Sequence, residues 1–255
     1  MGLLINIEGI DRSGKSSQIE PVSNTLSGIG RSVSIMGFPD RPGKNTPVTL
    51  DLPLAQYATG SLITRYLLGK LPLIDLRDSF FRRPEIAALD TETKEAIAAD
   101  IQEKIIQAIY SVNRRERAKE LHAEIAANDF VFVGRWLSGY TYGIANGVGR
   151  AQLDSIEGEL PQPDLTILLD LDPEVAKGRR TDDVYDLYEA NDDLQGRVRR
   201  LYMEHLTEEE ALATEERRPS RIIRIDGNQS ADDITAEIVA EILSFEELRN
   251  EIAAR

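Results

Sequence analysis

Residues 9–16 constrain the fold of this chain most, because they read G-x-x-x-x-G-K-S directly after a short apolar run. The run, 3–7, is a candidate β-strand, and Gly14 opens a helical stretch. A strand, a glycine-rich turn and a helix in this order point backbone N–H groups and the positive end of the helix dipole at a polyphosphate. Lys15 then reaches the β- and γ-phosphates, and Ser16 offers its hydroxyl to Mg²⁺. The sequence therefore predicts a nucleoside triphosphate site near its N-terminus.

The composition excludes several classes of protein. The chain has 255 residues, a formal net charge of −14 and no cysteine, so disulfide frameworks and thiolate metal sites are excluded. Broad contact with nucleic acid needs a basic surface, which this acidic chain lacks. No run approaches the ~18 apolar residues of a membrane span, and the N-terminus lacks the pattern of a signal peptide. We therefore expect a cytoplasmic protein that binds neither nucleic acid nor membranes.

Apolar, β-branched runs alternate with helical stretches along the chain. They predict five short, largely buried strands, at 3–7, 32–36, 130–133, 165–171 and 221–225. The predicted helices cover 15–27, 91–127, 137–145, 173–180 and 232–248. Continuous apolar strands between helices indicate a parallel sheet that is covered on both faces. The sequence thus predicts one α/β domain over 1–255, of the P-loop NTPase class, with ligands beyond the carboxyl ends of its five parallel strands.

Two stretches lack this pattern. Residues 42–90 hold several prolines but no clear strand. Residues 181–195, which are rich in Asp and Tyr, are expected to form a mobile segment after a helix. We assign neither stretch to the sheet.

Several short segments, in order along the chain, carry a more specific resemblance. They are 7–17 around the loop, F-P-D-R at 38–41, Y-S-V-N-R-R-E at 110–116, G-R-W and S-G-Y-T-Y within 134–142, P-Q-P-D-L-T at 161–166 and L-Y-E at 187–189. These segments resemble those of the thymidylate kinases, and Arg12 resembles the catalytic arginine that one subclass keeps inside the loop. The resemblance covers nearly the whole chain, with a gap over 42–105. It implies transfer of the γ-phosphate of ATP to dTMP, in line and with Mg²⁺, for dTTP synthesis.

On the donor side, the resemblance implies a site built from the loop and from two later segments. The residues implied to be catalytic are Arg12, Lys15, Arg135 and Arg180, since phosphoryl transfer needs positive charge around both phosphates and little covalent chemistry. Ser16 is the implied metal ligand. The residues implied to bind ATP are Gly9, Asp11, Arg12, Ser13, Gly14, Lys15, Ser16, Ser17, Arg179, Asp226 and Asn228.

On the acceptor side, the resemblance implies a pocket for a deoxynucleoside monophosphate. Tyr110 and Arg114 stand four apart on one helix face, where the ring would stack on the base and the guanidinium would donate to O4 of thymine. Tyr188 would favour deoxyribose, and residues 178–195 would form a mobile lid. The residues implied to bind the acceptor are Asp11, Phe38, Arg41, Tyr110, Arg114, Arg135, Gly139, Tyr188 and Gln195. The family also implies a homodimer.

Three departures from the family pattern leave alternatives open. Gly134 stands where the family has an aspartate that helps to hold Mg²⁺, so the metal would rest on Ser16, phosphates and water, with Glu8 assisting through water. Arg115 replaces a tryptophan, and the stretch over 42–105 is enlarged on the acceptor side. The alternatives are a kinase for another or a modified deoxynucleoside monophosphate, and a catalytically impaired nucleotide-binding regulatory protein.

Overall fold

The computed structural model describes residues 2–38, 63, 82–179, 187–216, 218 and 220–253. Within these residues the chain forms a parallel five-stranded sheet flanked by helices on both faces, as the sequence predicts. The strands are β1 (Leu3–Glu8), β2 (Val33–Gly37), β3 (Phe130–Gly134), β4 (Leu165–Asp170) and β5 (Ile222–Asp226). The helices are α1 (Lys15–Gly28), α2 (Pro84–Ala87), α3 (Thr91–Glu116), α4 (Ala118–Ala127), α5 (Ser138–Ala145), α6 (Arg150–Glu157), α7 (Pro173–Gly178), α8 (Asp192–Glu216) and α9 (Ala231–Ala253).

The strand order is β2-β3-β1-β4-β5, which places β1 at the centre and brings all five carboxyl ends to one edge. Every residue of β1 and β4 is buried, whereas β2 and β5 form the two lateral edges and are half exposed. The expectation that all five strands are largely buried is therefore wrong for β2 and β5, since an edge strand has a neighbour on one side only. The chain leaves β1 towards β2 on one side and leaves β4 towards β5 on the other side. Open α/β sheets bind their ligands where the direction reverses in this way, and the loop after β1 lies at this point.

The apolar core fills both faces of the sheet. On one face α1 and α9 pack side chains such as Val22, Leu26 and Ile238 against β1, β3 and β4. On the other face α4 contributes Leu121, and α8 contributes Val198. Burial of these faces is the main favourable free energy of the fold. None of the helices in the described ranges is both long and apolar enough to cross a bilayer.

The helix predicted over 91–127 is two helices, α3 and α4, which meet at Arg117. The backbone of Arg117 leaves the helical region, with φ −103° and ψ 2°. Its guanidinium donates to the carbonyl of Gly37 at 3.3 Å and lies 5.4 Å from the ring centroid of Phe38. These contacts tie the junction between the helices to the end of β2, so the interruption is a point of tertiary attachment.

Three helices were not predicted, and α8 is the most important of them. The expectation of a mobile segment over 181–195 is wrong for its last residues, because α8 begins at Asp192; residues 181–186 lie outside the described part. The sequence contained a signal that was missed. Its apolar residues recur every fourth position, which is the spacing of one buried helix face, and they are Leu194, Val198, Tyr202 and Leu206. Also missed were the short α2 and α6.

Candidate active site

The phosphate-binding loop depends on two glycines with positive φ. Gly9 has φ 144°, and a Cβ atom there would lie 2.5 Å from the carbonyl oxygen of Leu169 and 2.6 Å from Ser13 Oγ. Gly14 has φ 103° and precedes the first residue of α1. Only glycine adopts these conformations without strain, and a side chain at Gly9 would collide with backbone. The two glycines of the motif therefore determine the shape of the loop directly.

Lys15 folds back over this loop. Its Nζ donates to the carbonyl oxygens of Gly9 and Ile10, each at 2.6 Å, and its side chain is buried. Burial lowers the pKa of Lys15 to about 8, although the carboxylate of Asp11 opposes the shift. In this conformation the loop carbonyls solvate an ammonium group that a bound polyphosphate would pair with more strongly.

Two arginines of the site have strained backbones. Arg12 has φ 65° and Arg135 has φ 62°, and the left-handed region costs a residue with a Cβ atom about 1–2 kcal/mol. Arg12 pairs with Glu189 at 3.1 Å, and Arg135 pairs with Asp11 at 3.3 Å. Both arginines were predicted to be catalytic, and both follow strands at the same edge of the sheet.

Asp11 is the centre of a buried polar network. Its Oδ2 accepts hydrogen bonds from the hydroxyl of Tyr142 at 2.9 Å and from Nε2 of Gln195 at 3.1 Å, while its backbone N–H donates to Oε1 of Gln195 at 3.0 Å. Burial alone would raise the pKa of Asp11, but Arg135 and Lys15 hold it below its usual value. The network joins the loop to α5 and α8, and thereby brings Asp11, Arg135 and Gln195 together.

Glu8, the last residue of β1, is the centre of a second network of buried hydrogen bonds. Its fully buried carboxylate accepts four hydrogen bonds. The donors are Nδ2 of Asn6 at 3.1 Å, the backbone N–H of Leu137 at 2.7 Å, Oγ of Ser138 at 2.6 Å and the hydroxyl of Tyr202 at 2.8 Å. These bonds hold the turn that contains Arg135 against β1. For Glu8 to assist Mg²⁺ as expected, a water molecule bound to the ion would have to compete with these four donors for the carboxylate.

The donor set at the loop suits a Mg²⁺ ion that is held mostly by nucleotide phosphates and water. Ser16 is exposed in the first turn of α1, so its hydroxyl is accessible to a ligand. Within the described residues, no group of three or more His, Cys, Asp or Glu side chains is placed to hold a metal. Mg²⁺ commonly binds through few protein oxygens and several waters, and the residues present fit that mode.

Arg179 connects the loop to the segment after β5. Its Nη1 donates to the carbonyl of Arg12 at 3.3 Å, and its Nη2 donates to the carbonyl of Gly227 at 2.9 Å. Beside it, Asp226 Oδ1 accepts from the backbone N–H and from Nδ2 of Asn228, at 3.0 and 2.7 Å. The predicted ATP residues 9–17, Arg179, Asp226 and Asn228 thus lie along one edge of the sheet, and Arg180 lies outside the described part.

The predicted base-binding face of α3 is buried. Tyr110 and Arg114 are 8 % and 2 % exposed, and Glu103 and Gln107 extend the same face towards the N-terminus. Within the described part of the chain, Oε1 of Gln107 and Nε of Arg114 are buried without a hydrogen-bond partner, as is Ser13 Oγ. A polar stripe of this kind on the buried face of a helix is costly unless something pairs with it.

Arg114 is ion-paired with Glu157, the last residue of α6. The two side chains are 3 % and 11 % exposed, and burial raises the pKa of Glu157 while Arg114 opposes the rise. The neighbouring Arg115 instead pairs at the surface with Glu159, at 2.8 Å. Sequence reasoning placed Arg114 on the same helix face as Tyr110 but identified neither the burial of this face nor Glu157.

Tyr188 joins the acceptor side to the loop. Its ring stacks on Tyr142 with centroids 5.5 Å apart, and its hydroxyl donates to Glu103, whose two oxygens lie at 2.9 and 3.0 Å. Next to it, a cavity of about 390 Å³ opens between α3 and the start of α8. The residues that line this cavity include Ala99, Glu103, Asn146, Tyr188 and Asn191.

The remaining predicted acceptor residues lie in different places. Gly139 packs against Arg114, and a Cβ atom there would lie 3.0 Å from Nη1. Phe38 is buried in the core, edge-on to Trp136 with ring centroids 4.7 Å apart. Arg41 lies outside the described residues.

Sequence reasoning missed Glu103, Gln107, Tyr142, Glu157 and Glu189 as parts of the site. For Gln107 a signal existed, because it stands three residues before Tyr110 and seven before Arg114, on the same helix face. For Tyr142 and Glu157 the partners are far apart in sequence, and no local pattern identifies them.

Comparison with known proteins identifies the relatives of this chain. The family model for thymidylate kinase matches residues 79–238. A thymidylate kinase of Schizosaccharomyces pombe is 26% identical over 241 residues, which cover 93% of this chain and 90% of that protein. A thymidylate kinase of Chromobacterium violaceum is 30% identical over 230 residues, which cover 84% and 93%. Among solved structures, a thymidylate kinase from Candida albicans, described as having broad substrate specificity and a novel structural element, superposes with a TM-score of 0.62, 25% identity and coverage of 96% and 92%.

Proposed function

This chain belongs to the thymidylate kinase family, and from that premise we propose that it transfers the γ-phosphoryl group of ATP to dTMP, giving ADP and dTDP. The observation that carries the proposal is the meeting of Lys15, Arg12 and the Asp11–Arg135 pair at one edge of the sheet. Phosphoryl transfer needs this concentration of positive charge around two phosphates. A protein that only binds nucleotide has no need to hold two arginines in strained conformations there.

Each residue of the site has a role that follows from its position. The loop N–H groups and the N-terminus of α1 bind the phosphates of ATP. Lys15 exchanges its two carbonyl contacts for the β- and γ-phosphates, and Arg12 exchanges Glu189 for the charge that builds up on the transferred group. Arg135 orients the acceptor phosphate, and Asp11 in turn orients Arg135. The acceptor oxygen then attacks in line, and the β-phosphate of ATP leaves as part of ADP.

Mg²⁺ is a further part of the proposal. A bound Mg²⁺ would supply positive charge that neutralises the negative charge developing on the phosphates during transfer. Ser16 is the residue of this chain that would hold it, with phosphates and water completing its ligands. Because Gly134 offers no carboxylate, the affinity for the metal would depend on the nucleotide more than on the protein.

The acceptor base follows from the family. The relatives described above all carry the name thymidylate kinase, which favours dTMP over another deoxynucleotide and over a protein that has lost catalysis. Tyr110 and Arg114 are the residues of α3 that we propose for the base, and Tyr188 and Gln195 are those for the sugar. The homodimer and the cytoplasmic location stay predictions; sedimentation of the purified chain tests the first.

The test is release of ADP from ATP and Mg²⁺ by the purified protein with dTMP, dUMP, dCMP, dGMP and dAMP as acceptors. We expect the highest kcat/KM with dTMP. Highest turnover with a different acceptor would replace dTMP in the proposal. Absence of turnover with every acceptor, alongside measurable binding of ATP, would contradict the kinase activity itself.

A further inference from the structure

We propose that Gln107 reads the N3–H group of the acceptor base, and thereby selects thymine and uracil against cytosine. This inference rests on the proposed function, because it concerns the same acceptor pocket. It adds a specificity-determining residue that the resemblance to the family did not supply.

The first observation is a pair of buried polar atoms without partners. Gln107 is fully buried and Arg114 is 2 % exposed, yet Oε1 of Gln107 and Nε of Arg114 make no hydrogen bond within the described residues. One atom is an acceptor and the other is a donor. Leaving such atoms unpaired in the interior is unfavourable, and groups of this kind mark places where a ligand completes the bonding.

The second observation is that the two side chains converge on one point. A Cβ atom at Gly139 would lie 3.2 Å from Oε1 of Gln107 and 3.0 Å from Nη1 of Arg114. A Cβ atom at Gly143, one turn later on α5, would lie 3.1 Å from Cγ of Gln107. An acceptor of Gln107 and a donor of Arg114 thus both approach Gly139, at positions of α5 that carry no side chain.

The third observation fixes which end of the Gln107 amide faces that point. Nε2 of Gln107 donates to Oε1 of Glu103 at 2.6 Å, and Glu103 also accepts from the hydroxyl of Tyr188. An ionised carboxylate only accepts hydrogen bonds, so it has to face the NH₂ group of the amide. Oε1 of Gln107 is thereby held as an acceptor towards Arg114.

An acceptor next to a donor matches one edge of the pyrimidine ring. Thymine and uracil present an N3–H donor beside the O4 acceptor, which pair with Gln107 Oε1 and with Arg114. Cytosine presents an unprotonated N3 acceptor beside an N4 amino donor, so both of its groups face a group of the same kind. A site that hydrogen-bonds its substrate rejects an analogue that leaves buried polar groups unpaired.

The test compares Gln107→Leu with the wild-type enzyme, using kcat/KM for dTMP, dUMP and dCMP. We expect kcat/KM to fall about 10- to 100-fold for dTMP and dUMP and to change little for dCMP. Gln152→Leu, at an exposed position on α6, is the matched control and leaves all three values unchanged. An equal fall for all three acceptors, or no change for any, would overturn the proposal, because a purely structural role would not alter the ratio of dTMP to dCMP.

A second variant keeps the proposal testable if Gln107→Leu fails to fold. Glu103→Gln leaves Gln107 in place but lets its amide turn over, since a glutamine both donates and accepts. We expect the preference for dTMP over dCMP to fall by several fold while Tm shows that the protein is folded. An unchanged preference in the folded variant would overturn the orientation argument. Failure of the wild-type enzyme to use any acceptor would instead contradict the proposed function, so the two failures are distinguishable.

Discussion

The phosphate end and the base end of this site are built in different ways. At the phosphate end, the loop after β1 is the central element, and Lys15 is paired with two carbonyls of that loop. At the base end, α3 and α6 contribute side chains that face two glycines of α5, and within the described residues Oε1 of Gln107 and Nε of Arg114 have no hydrogen-bond partner. The ammonium group at the phosphate end is therefore paired with its own loop, where Ser13 Oγ is the one buried side-chain atom without a partner among the described residues, whereas the base end leaves both a buried acceptor and a buried donor unpaired.

This difference separates two kinds of specificity. A polyphosphate is recognised by charge and by N–H groups that any strand–loop–helix unit provides. A base is recognised by the direction of individual donors and acceptors, and these directions depend on tertiary contacts such as that between Glu103 and Gln107.

The largest effect is expected from Arg12→Ala, at the phosphate end. Loss of this guanidinium removes charge stabilisation that develops in the transition state, and arginines in such roles contribute about 10³-fold or more. We expect kcat with dTMP to fall by about that factor while KM for dTMP changes little. Arg200→Ala, at an exposed position of α8, is the control. A loss below tenfold would remove Arg12 from the catalytic group.

At the base end, the largest effect is expected on stability. Glu157→Ala leaves the buried Arg114 without its counter-charge, which should lower the free energy of unfolding by about 3–5 kcal/mol. Glu159→Ala removes the exposed partner of Arg115, whose own side chain is 37 % exposed, and should cost less than about 1 kcal/mol. Urea unfolding of the two variants measures both values. Equal costs would show that the Arg114 pair is not isolated from solvent.

Lys15 predicts a pH dependence of stability. Burial lowers its pKa in the folded protein to about 8, whereas the ordinary pKa of a lysine is 10.5, so between these values the unfolded state binds more protons. The free energy of unfolding of the nucleotide-free protein should therefore rise with pH over this range, by about 3 kcal/mol in total. Lys15→Met should lack this rise, and the difference between the two pH curves isolates it. Parallel curves would show that Lys15 has an ordinary pKa.

Gly134→Asp tests how the phosphate end manages without the family's carboxylate. Within the described residues a Cβ atom there meets only Cδ1 of Ile19, at 3.4 Å, so the position has room for a Cβ atom. We expect the Mg²⁺ concentration for half-maximal rate to fall by up to about tenfold, because a carboxylate joins the ligands or their water shell. Gly134→Asn, which has the same shape without the charge, should reproduce little of the gain. An unchanged Mg²⁺ dependence would mean that the metal is held by groups other than position 134.

The smallest effect concerns backbone strain at Arg12. Arg12→Gly relieves the positive φ, whereas Arg12→Ala retains it. We expect the glycine variant to be more stable than the alanine variant by about 1 kcal/mol, with the same loss of activity. Thermal unfolding of the two variants tests this, and equal stability would place the strain elsewhere.

The sequence predicted the sheet and the phosphate loop well because each strand and the loop are determined by residues that are close together in the sequence. Apolar runs located all five strands to within a residue or two. The motif alone identified Gly9, Gly14 and Lys15 as residues of the phosphate loop. The long helix α8 was missed because its polar residues dominate its composition, although its apolar face recurs regularly. The break at Arg117 and the pairing of Arg114 with Glu157 could not be predicted, since both result from contacts between segments that are distant in the chain.

The four hydrogen bonds to Glu8 also have a mechanical consequence. They fasten the end of β1 to the first residue of α5 and to Tyr202, near the middle of α8. Because α8 has 25 residues and rises ~1.5 Å per residue, it is a rod of about 37 Å clamped close to its centre. A displacement of the end of β1 would therefore be passed to α8 at this point. The buried carboxylate couples the strand and the helix mechanically, in addition to the apolar contacts that hold α8 on the sheet.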